Sequence, residues 1–380
     1  MEEQVATESR QLLSELGQAG PSTKRHRTND SRKSQALRSL PVSLVPLRLR
    51  PEFYFDFEAH PFAHAKLFQG THDVVDVLNL LHGYIETWLT AAWLDATSSK
   101  WFIHPQRELH RVQGKCVPAA EPAPVCVEAE WSELGNTSCD TIFSPDCILH
   151  APPSDSEKLS VFESKGSFRL AWAECPEQFK GLIVRRSAQV LGGTFDLRKG
   201  SIWLGEGAVV EPGAFVAGPV VIGRNTVVRS GAYLRGDVLV GDDVVLRGEV
   251  KNSVVMDKAE LAHPGYAGDS LIGYRGHFGC QAVTANLGLF GAELRLLVPG
   301  HCDGEEVLVG LGRVKVGAVL GDGSQLGCST VTDPATFIGP RTHAYPLSRL
   351  SSGFYGPDEI IKNKPEATGT IIREALITRT

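Results

Sequence analysis

Between Glu249 and Asn286 the chain reads EVKNSVVMDKAELAHPGYAGDSLIGYRGHFGCQAVTAN, a dense run of side chains that could do chemistry. A neutral imidazole such as His263 can take a proton from a nucleophile near neutral pH. Lys251, and Arg229 upstream, could hold a phosphate dianion. Tyr266 and Asn286 offer a hydroxyl and a carboxamide. Each residue also has a plainer use. His263 could be a solvent-facing loop histidine, and Lys251 an exposed face residue. Asp269 fits a corner hydrogen-bonder better than an acid, because Gly-Asp pairs recur at Gly241-Asp242 and Gly321-Asp322.

The elements that must position these groups are written in a strict period. Aliphatic residues return every sixth position at Leu204, Val210, Val216, Ile222, Val228, Leu234, Val240 and Leu246. Small residues or Thr stand four places on at Ala208, Ala214, Thr226 and Ala232. A six-residue period fits neither a helix nor an ordinary strand. It predicts a parallel β-helix of hexapeptide repeats, with the aliphatic residues stacked inside a narrow prism. The period is then interrupted. Val255 and Leu261 keep it, as do Ile272, Phe278 and Thr284, and it resumes at Val314, Leu320, Leu326, Thr332, Ile338 and Ala344. The chemistry then hangs on the outside of the coil.

The rest of the chain bounds the reading. With 380 residues there is room for two or three domains, and a net charge of −6 argues against a nucleic-acid surface along the whole chain. No apolar run reaches the roughly 20 residues of a membrane span, and the acidic Met1-Glu2-Glu3 opening lacks a secretory signal. The 8 cysteines include no CxxC pair, so reduced thiols in a cytoplasmic protein are expected. Residues 1–45 read as a disordered polar tail whose basic patch, Lys24-Arg25-His26-Arg27, is a solvated run or an address. Residues 46–92 read as a helical lead-in. There Phe53, Tyr54, Phe55 and Phe57 form an anchor, Thr71 is the expected N-cap, and Val74, Val75, Leu78, Leu81, Ile85 and Leu89 form one helical face. Such a helix is expected to cap the open end of the coil. His60, His64, His72 and His82 lie nearby without a metal-ligand spacing. Residues 93–181 read as an insertion, 182–348 as the coil, and 349–380 as a tail.

The motifs EVKNS at 249–253, His263-Pro264-Gly265-Tyr266, Gly268-Asp269-Ser270, Ile272-Gly273 and Thr284-Ala285-Asn286 resemble a known group. So does Val228 to Gly236. They are similar to the left-handed β-helix domains of sugar-1-phosphate acetyltransferases, including the C-terminal domain of bifunctional N-acetylglucosamine-1-phosphate uridylyltransferases. The segment Phe57 to Leu89 resembles the helical lead-in of stand-alone members. The resemblance implies an acyl-CoA-dependent N-acyltransferase, most simply acetyl-CoA-dependent, acting on an amino-sugar phosphate or nucleotide sugar in UDP-N-acetylglucosamine biosynthesis. His263 matches the general base, Arg229 and Lys251 the phosphate ligands, and Tyr266 and Asn286 the sugar contacts. It also implies a homotrimer with the site between chains, no tightly bound cofactor and no metal. Residues 1–180 hold no phosphate loop of the GxGTRMxxxxPK kind, so nucleotidyl transfer is not expected.

The chain departs from that group at three places, one of them a Thr-Gly-x-x-Lys run that stands shifted as Gly310-Leu311-Gly312-Arg313-Val314-Lys315. An N-(I/L)-G-A-G run is replaced by His277-Phe278-Gly279-Cys280-Gln281. The stretch after Asn286, where the group commonly has Tyr or basic residues, is the apolar Leu287 to Gly291, with Arg295 the charge left to meet a substrate. These changes fit a longer acyl chain. They also fit a non-catalytic scaffold that holds a protein partner, for instance through 93–181. A third reading is a zinc carbonic anhydrase on the same coil, but His263, His277 and His301 lack the five-residue spacing such sites use.

Overall fold

All eight members of the series from Leu204 to Leu246 are fully buried, at 0% exposure. They line one prism-shaped core together with Val255, Leu261, Ile272, Phe278, Leu320, Leu326, Ile338 and Ala344. The computed structural model describes residues 35–41, 45–98, 125–130, 142–143, 147–150, 161–162, 167–172, 182–185, 188–197, 199–299, 306–363 and 371–375. Apart from a hairpin at 295–310, the strands from Leu182 to Asn363 are short, and each pairs in parallel with its equivalent one coil away. Val220, Val227 and Phe215 pair with Val238, Val245 and Tyr233, three hexads on. The result is a parallel β-solenoid with three walls. Sheet I runs from Leu182–Val184 to Gly353–Tyr355, sheet II includes Val227–Val228 and His277–Phe278, and sheet III includes Tyr233–Arg235 and Tyr266–Gly268.

The slips in the period are shortened corners. After Leu246 the next inward residue is Val250, only four places on, and Val255 and Ile272 follow their predecessors Val250 and Ala267 by five. Val314, expected inside, is 43% exposed, and the inward series restarts with Ala318 and Leu320. Between Asn286 and Val316 the chain leaves the coil for a hairpin, Arg295–Pro299 against Glu306–Gly310, whose outer edge pairs in parallel with Gln35–Ala36. Strands Arg349–Leu350, Gly353–Tyr355 and Glu359–Asn363 continue all three walls past residue 348. Within 93–181, Ile142–Phe143 and Cys147–His150 add rungs to sheets II and III, while Val125–Glu130 pairs antiparallel with Ser167–Trp172. Residues 1–34, with the basic patch, lie outside the described residues.

A second core lies outside the prism. The outward column of sheet I is Trp203, Val221, Leu239, Val254, Leu271, Val319, Phe337 and Phe354. Helix α1, Asp76–Ser98, lays Val77, Leu78, Leu81, Ile85 and Leu89 into the cluster that buries this wall. Tyr54 and Phe55, with Leu296, Val298, Val309 and Leu311 of the hairpin, complete it. The lead-in therefore covers a side wall of the coil, not its open end, because that wall is apolar along its length. Thr71 is not the cap either. Its hydroxyl donates to the Phe68 carbonyl, and Asp73 accepts the Val75 and Asp76 N–H groups at 2.9 and 3.0 Å. No described helix is long and apolar enough to cross a membrane.

The four lead-in histidines each have a separate place. His60 stacks on Tyr274, His72 bonds Asp73 and the Leu40 carbonyl, and His82 bonds Asp237 at 2.6 Å. His64 is 5% exposed between Phe62, Tyr84 and Trp88. Burial lowers its pKa from 6.5 to about 4. The unfolded chain thus binds a proton at His64 that the folded chain refuses. Stability present above pH 6.5 is lost as pH falls toward 4, by about 3 kcal/mol at the lower limit. We expect His64→Gln, which can still bond Tyr84, to flatten this part of the denaturant-midpoint profile. Identical acid slopes in the variant and the wild type would contradict the assignment.

Candidate active site

Sheet III positions the chemical groups by simple alternation. Val250 and Ala267 point inward, so Glu249, Lys251, Tyr266 and Gly268 face out. One outward column carries Phe215, Tyr233, Glu249, Tyr266 and Val283. The parallel column carries Ala217, Arg235, Lys251 and Gly268. Gly268 is needed for space, since a Cβ there would lie 2.2 Å from the Tyr266 hydroxyl oxygen. The phenol ring therefore lies across its own strand. Partial burial raises the Tyr266 pKa, with the nearby Glu249 and Asp269 charges adding to the effect.

At the corner from sheet III to sheet I, Asn252 and Asp269 both take left-handed backbone angles, φ 44° and 47°. Both corners are shortened by one residue, and they bring polar side chains together. Asp269 is 2% exposed and fully engaged. It accepts the Asn252 and Asn286 side-chain amides at 2.6 Å each and the Arg313 guanidinium at 3.0 Å. The Lys251 ammonium is 3.9 Å away. Asn286 also donates to the Tyr266 hydroxyl at 3.1 Å. Lys251, Tyr266 and Asn286 thus meet around Asp269, which acts as a buried hydrogen-bonding hub.

Arg313 had no role in the sequence reading, though its Arg-Val-Lys run was visible where the chain re-enters the coil. It reaches Asn79 of α1 at 2.7 Å, while Asn79 donates to Asp76 and Asp76 pairs with Arg38. A continuous polar chain therefore links the lead-in to the hub. Arg235 was also missed. It stacks in the Lys251 column and pairs with Glu249.

His263 and Arg229 stand at the other end of the sheet III strands, on the corner from sheet II. His263 is exposed, and Arg229 is half-buried with its guanidinium donating to the Ala262 carbonyl at 3.3 Å. Arg295 is exposed on the hairpin, apart from the hub. His277 pairs with Glu260 at 3.4 Å on sheet II, and His301 lies outside the described residues. Among the described residues no three His, Cys, Asp or Glu side chains converge as a metal site.

Residues 201–236 match the family model described as bacterial transferase hexapeptide (six repeats). The chain is 33% identical over 98 residues to the bifunctional sugar-1-phosphate nucleotidylyltransferase/acetyltransferase of Sulfurisphaera tokodaii, a match covering 26% of this chain and 23% of that protein. It is 32% identical over 97 residues to the bifunctional protein GlmU of Methanococcus vannielii, covering 24% and 20%. The chain spans about a fifth to a quarter of the length of these curated relatives. A solved mutant of AntD, an N-acyltransferase from Bacillus cereus, in complex with dTDP and coenzyme A, shares 14% identity at a TM-score of 0.21, over 51% of this chain and 82% of that one. So loose a superposition carries no argument. The sequence matches tie the hexapeptide-repeat coil to the bifunctional nucleotidyltransferase/acetyltransferases at distant identity.

Asp269 and Lys251 differ in how they are held, and stability should separate them. Asp269→Ala strands the Arg313 guanidinium and two amides, a loss of about 3 kcal/mol. Lys251→Ala removes a half-exposed contact and should change stability by less than about 1 kcal/mol. Equal losses in urea unfolding would contradict the hub.

Proposed function

We propose that this hexapeptide-repeat β-helix transfers an acyl group from an acyl-CoA to the amine of an amino-sugar phosphate or nucleotide sugar. The observation that supports this best is the set on sheet III: Lys251, Tyr266 and Asn286 meet on one face, and His263 borders that face at its other end. In this reading Lys251, with Arg235 beside it, holds the sugar phosphate, while Tyr266 and Asn286 orient the ring. The His263 imidazole takes a proton from the amine as its nitrogen attacks the thioester carbonyl. The oxyanion formed is held by a backbone N–H near the corner. Collapse expels the coenzyme A thiolate, which the imidazolium reprotonates. Nothing in this sequence of steps requires a metal or a resident cofactor.

The assembly we propose is a homotrimer. Its contacts would use sheets II and III, since sheet I is buried under the chain's own lead-in. Sedimentation velocity should return three times the chain mass of 41.1 kDa, and a monomer at assay concentration would contradict it. A second reading is a non-catalytic scaffold, with Leu289 and Phe290, which stand 99% and 92% exposed close after Asn286, as a docking point. These side chains would equally suit a long acyl group or a protein partner. The variant His263→Ala separates the readings. As a general base, His263 should carry at least about 100-fold in kcat. A full rate in that variant would remove His263 from the mechanism, and no turnover by the wild type with any acyl-CoA would favour the scaffold.

A further inference from the structure

The register on either side of the hairpin excursion sets two cysteines on one corner. Phe278 pairs with Leu326 in sheet II, and Val283 with Val331 in sheet III. The corners between these strands are equal in length, Gly279-Cys280-Gln281-Ala282 and Gly327-Cys328-Ser329-Thr330. They also share one conformation. The third residue of each is left-handed, with φ 62° at Gln281 and 56° at Ser329. In each, the N–H of the fourth residue bonds the carbonyl of the first, at 3.1 and 3.2 Å. Cys280 and Cys328 therefore occupy the same place in adjacent coils, although the hairpin separates them in the sequence.

The two coils touch at this corner. The Ser329 N–H bonds the Cys280 carbonyl at 2.8 Å, and the Gly279 N–H bonds the Leu326 carbonyl at 2.7 Å. Gly279 has no room for a side chain, since a Cβ there would lie 2.5 Å from the Cys328 nitrogen. The Ser329 hydroxyl donates to the Gln281 side-chain oxygen at 3.2 Å, so the residues following the two cysteines already meet. Neighbouring rungs stand about 4.8 Å apart, and a disulfide joins Cα atoms about 4.4 to 6.8 Å apart. Both thiols are free, Cys280 half-buried and Cys328 exposed. Neither belongs to the prism core, where a cysteine would serve as an inert small hydrophobe. Counted from the same paired strands, His263 takes the Cys280 place one coil earlier.

We propose that Cys280 and Cys328 form a reversible dithiol–disulfide pair, a site of oxidative modification by peroxides one coil from His263. The exposed Cys328 thiolate attacks the peroxide O–O bond, its sulfur becomes a sulfenic acid, and a first water leaves. The Cys280 thiolate then attacks that sulfur. The S–S bond forms, the S–O bond breaks, and a second water leaves. In sum two thiols lose two electrons and two protons, and one hydrogen peroxide becomes two waters. A dithiol reductant reverses the step. The pairing stands apart from the acyl-transfer reading, because it needs no substrate and no turnover.

The test is peptide mapping of the full-length wild type after hydrogen peroxide treatment, with remaining thiols blocked. Trypsin should release Gly276 to Arg295 and Val316 to Arg341, each with a single cysteine. The proposal expects the two peptides joined, lighter by two hydrogens than their sum, and separated again by dithiothreitol. The oxidised protein should still run as a single chain on a non-reducing denaturing gel. In Cys280→Ser the Cys328 sulfenic acid has no partner, so dimedone should trap at least about 10-fold more of it than in the wild type. Oxidation in urea, where the coil no longer sets the register, should lower the yield of this linkage by a similar factor. Both thiols left free, dimedone capture equal in wild type and variant, linkage to another cysteine or a second chain, or an undiminished yield in urea would overturn the proposal.

Discussion

Coil-on-coil registration is the constraint on which everything else here depends. Each inward side chain must land on the one a full coil earlier, because the parallel ladders are the backbone's main hydrogen-bond partners along the walls. The corners can therefore change length only if the strands keep their pairing. Where they do change, the coil loses surface residues while its inward column continues through Val250, Ala267 and Thr284. Corners are shortened near both ends of the coil, from Val190 to Phe195 and from Leu350 to Tyr355, but the run of them between Leu246 and Ile272 falls in the stretch that also carries Lys251, His263, Tyr266 and Asp269. The left-handed Asn252 and Asp269 bring polar side chains together at one edge of sheet III.

The second core fixes the outer context of that site. Sheet I presents an apolar residue outward in coil after coil, so leaving it in water would expose a continuous hydrophobic wall. The chain covers it with α1, the aromatic segment around Tyr54 and the hairpin that leaves the coil after Asn286. Covering the wall brings Asn79 and Arg313 to the Asp269 corner. Packing and site are linked in this way: the hairpin that completes the outer core leads, just after Gly310, into the loop that supplies Arg313. The anchored lead-in covers sheet I and, among the described residues, leaves sheets II and III uncovered by it.

Much of this was legible in the sequence. The inward series is periodic because each hexad repeats the same local structure, so fold class and most of the prism core followed from residue spacing alone. The covered wall was legible too, although the period itself does not reveal it. Trp203, Val221 and Leu239 each stand one place before an inward aliphatic, where an exposed wall would carry a polar residue. The lead-in helix was readable from its apolar face, but the place where it docks depends on that wall. The cap was misassigned because Thr71 and Asp73 are both good cap formers, and only the chain's path after Phe68 decides between them. Lys251, Tyr266 and Asn286 meet because one strand row and one corner place them together. Arg313 enters from the far end of a long excursion, which no local pattern registers. Arg235 looks like an ordinary exposed charge until the register sets it beside Lys251 and Glu249.

The account's central claim is acyl transfer to a phosphorylated amino sugar, and the most direct measurement is release of coenzyme A thiol. Purified wild-type chain would be mixed with acetyl-CoA and with longer acyl-CoAs, each with and without glucosamine-1-phosphate. The account predicts that free thiol appears, in proportion to enzyme, only when donor and amine acceptor are both present. No acceptor-dependent thiol with any donor would contradict it and leave the coil as a scaffold.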